Sequence, residues 1–563
     1  MSPSQAFKHC PGDVLAHDVS EKTLLQPSDK IIFKGGVYYR GSINVIRDGA
    51  PQKHIVYDGN SEGSFGVGMA IIDGSEKINN WKRGEDVLGL ESYYTELASN
   101  VNGYHLNLYQ GNKKVILAQA PQPQNYYRID DINEYYELKS DLIKRGFIDF
   151  SNDYNTLSND DWSGVRLLIR GRANRVYDTK AITFDLVSKI IQYEPVPLGT
   201  KGDLKYAIRN HISALDSTGE YYYEKDKSRI HYLPYSKFSP KDSSVTFSKR
   251  AAGFIVKSSF VTIKHFILQK HIGDESENYS GVGIAIGNSD SQVESVTASG
   301  NEVRFNSSFE QAGAVLVRKA KNIKLSGNNI HHNYPNRGIL VLNSTQAIVE
   351  RNELSNLGGT GIALFHTVNS KVLNNQISTI NGIHANGISL YLASNHNLVY
   401  KNHVSDGNAA LTTKASYDLT IAFNVFESSK DTYTVSDWGG GGQLSYYNNL
   451  VLNEYQKAFQ INESSIDGLN VINNIIDGSL IKVKGGNISH NVYTSLSWLQ
   501  QKKRGWKLGV GEKYIKKEQV LTQGKLMFPS VKPSSTEALK MGKVMKYKFH
   551  GERNVDFIGP NKK

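Results

Sequence analysis

An asparagine returns at near-constant intervals through the middle of this chain: Asn301 in SGNEV, Asn329 in SGNNI, Asn352 in ERNEL, Asn375 in LNNQI, Asn402 in YKNHV, Asn424 in AFNVF, Asn449 in YNNLV, Asn474 in INNII and Asn491 in SHNVY. The spacings are 28, 23, 23, 27, 22, 25, 25 and 17 residues, and an apolar residue follows each asparagine within two places. Self-similarity at this period marks a stacked-repeat fold. Asparagine suits a repeated sharp bend because it tolerates the left-handed conformation. Its amide can also bond to the equivalent amide one coil on, forming a ladder.

A second landmark follows each asparagine: a short strand-like run that begins near a small residue. These runs are GAVLVRK (313–319), GILVLNS (338–344), GIALFHT (361–367), GISLYLA (387–393), ALTTKAS (410–416), TYTVSDW (432–438) and KAFQINE (457–463). Alternate residues of such strands face the interior and the solvent. The Leu-x-x-Leu-x-Leu consensus of a leucine-rich horseshoe and the amphipathic 12-mers of a helical solenoid are both absent. The pattern predicts an all-β chain built on a right-handed parallel β-helix, with Ile339, Ile362, Ile388 and Leu411 stacked inside.

The period also divides the chain. Residues 1–75 read as an N-terminal segment and first coils, from DKIIFKGGVYYRGSINV to AIIDGSE. Residues 76–245 lose the repeat and read as an inserted β-rich module, 246–495 as the main helix, and 496–563 as a charged tail that caps the stack. A cap is needed because the last coil would otherwise expose an unpaired sheet edge.

Sixty-five basic against fifty-four acidic residues give a net charge of +11, and there are 32 tyrosines. A basic surface steers polyanions, although excess lysine can equally serve solubility. No recognition signature of a nucleic-acid-binding module is present, so nucleic acid is not expected as partner. An acidic polysaccharide or oligosaccharide fits both the charge and the aromatic content; the oligomeric state is left open. The lone Cys10 argues against a disulfide framework. No 18-residue apolar run predicts a membrane span. The N-terminus lacks a signal-peptide pattern: a secreted, periplasmic or cell-surface protein is expected, its signal removed or its export by another route, with a protein that stays inside the cell as the alternative.

PSDKIIFKGGVYYRGSI resembles the first-coil motif of bacterial β-helix carbohydrate-active enzymes. NLYQGNKKVILAQAP and LDSTGEYYYEKDKSRIHYLP together resemble the β-sandwich insertion of some β-helix glycosidases, and the tail ending NVDFIGP resembles their C-terminal segment. The resemblance implies a polysaccharide-active protein, of lyase or glycoside hydrolase type, and leaves the reaction open. No family catalytic motif is matched.

With coils about 4.8 Å apart, outward residues at equivalent positions form columns. One column is expected to read Leu342, Phe365, Tyr391, Lys414, Ser436 and Asn462, and the next Asn343, His366, Leu392, Ala415, Asp437 and Glu463. A third, two residues before the first, reads Leu340, Ala363, Ser389, Thr412, Thr434 and Gln460. The bends add His331, His332, Arg337, His384 and Asp406. Tyr391 beside Lys414, with His384 and His366 near, suits β-elimination on a uronate: Lys414 as base and Tyr391 as acid, with His384 close to the reacting atoms. Arg337 would grip the carboxylate, and His366 and Asp406 would line the substrate path. On a plainer reading Lys414 and Tyr391 are ordinary exposed strand residues and His384 braces its turn.

Asp437 and Glu463 suggest a different chemistry. On consecutive coils their carboxyls would lie roughly 5–6 Å apart, the spacing of a retaining glycosidase, with Trp438 as a sugar-stacking platform. They could instead hold a Ca²⁺ ion, although no aspartate-rich calcium loop is present, or be solvated acids beside a loop. No metal site and no other cofactor is expected. Gly439–Gly442 lacks the ending and the helix of a phosphate loop. Three readings therefore stand: a lyase acting on an acidic polysaccharide, favoured; a glycoside hydrolase using the carboxylate pair; and a non-catalytic glycan-binding β-helix.

Overall fold

The repeated alternation of apolar and polar residues closes into coils of three short strands, and the coils stack strand on strand. In the computed structural model this produces three long parallel sheets of eleven, twelve and thirteen strands. The structure describes residues 6–98, 101–126, 134–137, 146–149, 162, 164–172, 175–185, 187–199, 204–236, 244–273, 281–287, 292–308, 312–383, 385–481, 485–494, 511–514, 525–527, 545–549 and 553–558.

Seven successive strands of the eleven-stranded sheet carry the candidate site: β1 (Gly313–Arg318), β2 (Arg337–Leu342), β3 (Ile362–Phe365), β4 (Ile388–Tyr391), β5 (Leu411–Lys414), β6 (Val435–Asp437) and β7 (Phe459–Gln460). Ile339, Ile362, Ile388 and Leu411 pair in sequence along this sheet. All four are fully buried, forming the interior stack that the alternation predicts.

The asparagine ladder is continuous. Each rung accepts two hydrogen bonds on its Oδ1: Asn352 receives them from Asn328 at 3.0 and 2.9 Å, and Asn375 from Asn352 at 3.0 and 3.0 Å. The series continues through Asn402, Asn424, Asn449 and Asn474 to Asn491. One rung differs from the sequence expectation. Asn328, the first asparagine of SGNNI, is the ladder member; Asn329 opens the strand Asn329–Asn333 and is exposed. The amide must point into the bend, and only the residue before the strand does so.

The module is an excursion between two neighbouring coils. The chain leaves the stack after Ala70–Asp73, and Ser75–Lys77 pairs antiparallel with the returning Val245–Ser248. Ala252–Val256 then docks parallel onto Ile43–Val45, as though nothing had intervened. The excursion contains sheets of eight and seven strands with cores of their own, one around Trp81, Tyr221 and Tyr232, the other around Ile169, Tyr193 and Tyr206.

Most of the expected cap at 496–563 lies outside the described residues. Lys513–Tyr514 adds to Val492–Tyr493 at the end of the thirteen-stranded sheet. Glu512 terminates the asparagine ladder by accepting from Asn491 Nδ2 at 3.1 Å.

Candidate functional site

On the outer face of the eleven-stranded sheet the chemistry changes along the axis. Over the earlier coils it is apolar and covered, with Ala285, Leu316, Leu340 and Ala363 buried together. From β3 onward it becomes aromatic and polar. Register places Leu342, Phe365, Tyr391 and Lys414 side by side, as the sequence columns predict.

The next step departs from the expectation. Thr412 pairs with Ser436 and Thr413 with Asp437, two residues out of the anticipated alignment. Trp438 N–H donates to the Thr413 carbonyl at 2.8 Å, and Trp438, 53% exposed, takes the place beside Lys414. The column therefore reads Phe365, Tyr391, Lys414, Trp438. The inner polar column becomes Ser389, Thr412, Ser436 and Gln460, with Thr434 outside it. The bend that ends each strand stays in step: left-handed His366, Leu392 and Ala415 follow Phe365, Tyr391 and Lys414, and Gly439, at φ +85°, follows Trp438. At Gly439 a Cβ would lie 2.6 Å from Ser464 Oγ. The shift arises ahead of β6, where Ala410 N–H donates to the Thr434 carbonyl at 2.8 Å, so that Thr434 and not Thr432 stands level with Ala410.

Asp437 consequently falls on the interior side of the coil and is 3% exposed. It accepts from Thr413 Oγ1 at 2.9 Å and from Asn462 N–H at 3.1 Å. The buried Tyr446 phenol beside it is held above its usual pKa by burial and by this carboxylate. Glu463 is exposed and opens a short 3₁₀ turn, Glu463–Ser465, capped by Asn462. The two acids are not equivalent positions on consecutive coils, and one faces inward. Asp437 stands level with Ile461, so the expected equivalence of Asp437 and Glu463 on consecutive coils does not hold. Among the described residues no group of three or more His, Cys, Asp or Glu side chains is arranged to hold a metal ion.

Of the residues expected to serve elimination, Arg337, Tyr391 and Lys414 lie along one stretch of this face. The Arg337 guanidinium carbon lies 5.8 Å from the centre of the Phe365 ring. Phe365 meets Tyr391 edge to face, centroids 5.6 Å apart at 89°. Burial pulls the Arg337 pKa down, and the nearby Tyr391 opposes the shift. Burial raises the Tyr391 phenol, against the pull of its hydrogen bonds to Thr412 and Ser389 and of Arg337. Tyr391 Oη donates to Thr412 Oγ1 at 2.8 Å. Thr412 and Ser389 share a hydrogen bond at 2.8 Å, and Asn386 Nδ2 reaches Thr412 Oγ1 at 3.3 Å. Lys414 is exposed at the end of β5. A phenol whose pKa is raised stays protonated and can donate; a partly desolvated guanidinium is a strong carboxylate partner.

His366 sits in the bend after β3, exposed, its N–H donating to the Leu392 carbonyl at 3.0 Å. Asp406 occupies a left-handed bend before β5 and is half-buried. His384 lies outside the described residues. His331 is tied to Glu302 at 3.2 Å and to His332 at 2.8 Å. Asn386 was not singled out by the sequence reading. Its signal is a position one residue before Gly387, the small residue that leads into β4, the place that Arg337 holds before Gly338.

Residues 252–426 match the family model described as the right-handed β-helix region. No curated protein matches the chain. Among solved structures, a protein described as a glycoside hydrolase superposes with a TM-score of 0.54 at 12% identity, covering 79% of this chain and 89% of its own. The complex of XylC with xylose gives 0.42 at 14% identity, over 87% of this chain and 81% of the other. PfbA, a surface adhesin of Streptococcus pneumoniae, gives 0.34 at 10%, over 44% and 76%. At 12% identity the first of these likenesses speaks to the fold, a parallel β-helix, and is silent on chemistry.

Proposed function

We propose that the protein is a polysaccharide lyase that cleaves an acidic, uronate-containing glycan by β-elimination on the outer face of β2–β6. The observation that carries this reading is the column Phe365–Tyr391–Lys414–Trp438 with Arg337 over its first ring. Among the described residues, no carboxylate faces outward on β2–β6: Asp437, the acid of β6, points into the coil.

Arg337 would pair with the uronate carboxylate, which draws electron density from C5 and acidifies its proton. Lys414 takes that proton. The C5–H electron pair becomes the C4=C5 double bond, the C4–O bond breaks, and the Tyr391 hydroxyl protonates the departing oxygen. Solvent then returns a proton to Tyr391 and removes one from Lys414. General acid–base groups of this kind contribute about 10²–10⁴ in rate. Trp438 offers a flat apolar surface for the next sugar ring. Polymers of this kind are met outside the cytoplasm, which makes a secreted, periplasmic or cell-surface location part of the reading. Among the described residues, no helix is long and apolar enough to cross a membrane.

Digestion of a panel of acidic polysaccharides tests it. Elimination yields a conjugated, ultraviolet-absorbing unsaturated uronate; reducing ends without absorbance would mean hydrolysis. Neither signal, with binding retained, would mean a glycan-binding protein.

A further inference from the structure

The inserted module does more than interrupt the coils: it folds back onto them. Tyr109 Oη and Asn107 Nδ2 each donate to the Phe305 carbonyl at 3.2 Å, and Lys270 Nζ donates to the Gly111 carbonyl at 2.7 Å. Between module and coils remains a cavity of about 610 Å³, within the ~300–1,000 Å³ span of small-molecule sites. Its coil wall includes Tyr334 and Pro335, directly upstream of Arg337, so the cavity adjoins the outer-face column without being part of it.

The lining is cationic and aromatic. Arg166, Arg175, Arg209 and Lys114 line the cavity together with Asp178, the one carboxylate of the lining among the described residues. Asp178 is shared, taking Arg166 Nε at 2.5 Å and Arg209 Nη1 at 3.1 Å. Arg209 Nε is buried and has no partner among the described residues. Tyrosine rings supply the flat surfaces: the Arg166 guanidinium lies over Tyr104 at 5.4 Å and the Lys114 ammonium over Tyr109 at 4.9 Å. A lining rich in guanidinium and ammonium groups, with a buried N–H still to be satisfied, selects an anion. Aromatic walls select one carried on a ring.

We propose that this cavity is a second binding site, specific for a uronate residue of the polymer and separate from the Arg337–Trp438 column. The assignment of the anion as a uronate rests on the lyase reading; the assignment of the site does not. A polymer held here by one residue would lie beside the cleavage column with its register fixed.

Titration calorimetry on the full chain tests this with D-glucuronate and D-galacturonate as probes and D-glucose and D-galactose as neutral controls. The uronates should bind and the neutral sugars should bind at least fivefold more weakly. Lys114→Met, which keeps the side-chain volume and removes the charge, and Arg166→Gln should each weaken uronate binding at least fivefold. Arg175→Gln, at an exposed position where folding is not at risk, should weaken it about two- to threefold. Equal affinity for neutral sugars, variants that bind like the parent, or loss of binding only in Arg337→Gln would overturn the proposal. The two readings fail separately. Uronate binding that depends on Lys114 in a protein that cleaves nothing leaves the site standing and removes the lyase. Cleavage without such binding does the reverse.

Discussion

At the scale of single residues, the ladder and the buried acid make opposite demands on mutation. Asn375 accepts from the Asn352 N–H and Nδ2 and donates to the Val349 carbonyl at 2.9 Å and to Asn402. Asn375→Ala leaves buried donors unsatisfied at about 1–3 kcal/mol each and should cost roughly 2–4 kcal/mol in denaturant unfolding. The exposed Asn329→Ala should stay within about 0.5 kcal/mol. The sequence could not distinguish Asn328 from Asn329 because both stand in SGNNI and either would preserve the period within one residue. Asp437 was misread for a related reason: its type suggested catalysis, whereas its interior position makes it a hydrogen-bond acceptor for Thr413 and Asn462. Asp437→Ala should lower stability by about 1–3 kcal/mol, while the folded fraction retains its turnover within a few fold. A loss of turnover without a loss of stability would place Asp437 in the chemistry instead.

At the scale of elements, the alternation within β2–β5 was legible down to the facing of Phe365, Tyr391 and Lys414. Strand period and bend position agree there, each strand closing on a left-handed residue at the same place. Legibility ended ahead of β6. The run TYTVSDW begins two residues before the position level with Ala410, which is Thr434, and nothing in its composition marks where the loop stops and the strand starts. The corrected register puts Trp438 at the end of the column, and Trp438→Ala should weaken polysaccharide binding about tenfold, equivalent to 1.4 kcal/mol, with little change in unfolding. The return of the module onto the coils had no sequence signal, because it depends on contacts between residues such as Asn107 and Phe305, 198 positions apart.

The cavity made by that return has its own pH signature. Burial, with Arg209 adding to it, lowers the Lys114 pKa to about 7. Around it stand Asn107, which shares a hydrogen bond with the ammonium, Tyr109, Tyr221, Arg166, Arg209 and Asp178. His105 and His332, each lowered to about 4 mainly by burial, stay neutral in this range. Lys270, lowered to about 8 by burial, lies over the same Tyr109 ring and gains its proton in the same direction. Lys114 is charged below its pKa, and a uronate remains ionised there. Glucuronate affinity should therefore rise as pH falls from about 8 to 6, and the rise should shrink in Lys114→Met. A flat profile, or one rising with pH, would contradict it.

At the scale of the whole molecule, a solenoid with a net charge of +11 would meet the proposed polymer through a long surface as well as through a site. If that charge assists capture, polysaccharide binding should weaken steeply with salt, since exposed charges are screened over about 8 Å at physiological ionic strength. Salt-independent binding would point to stacking on a neutral glycan. The architecture was readable from the repeat because a solenoid writes the same solution again in every coil. The proposed reaction draws on a few outward residues that occur once each, and a repeat carries no signal for them. The most direct test of that reaction is turnover of an acidic polysaccharide, followed by the absorbance of the unsaturated product, in Lys414→Ala beside the parent protein, with binding measured in parallel. Removal of the eliminating base should cut turnover by about 10²–10⁴ and leave affinity within a few fold. Unchanged turnover in Lys414→Ala, or a product that carries new reducing ends but no absorbance, would contradict elimination on this face.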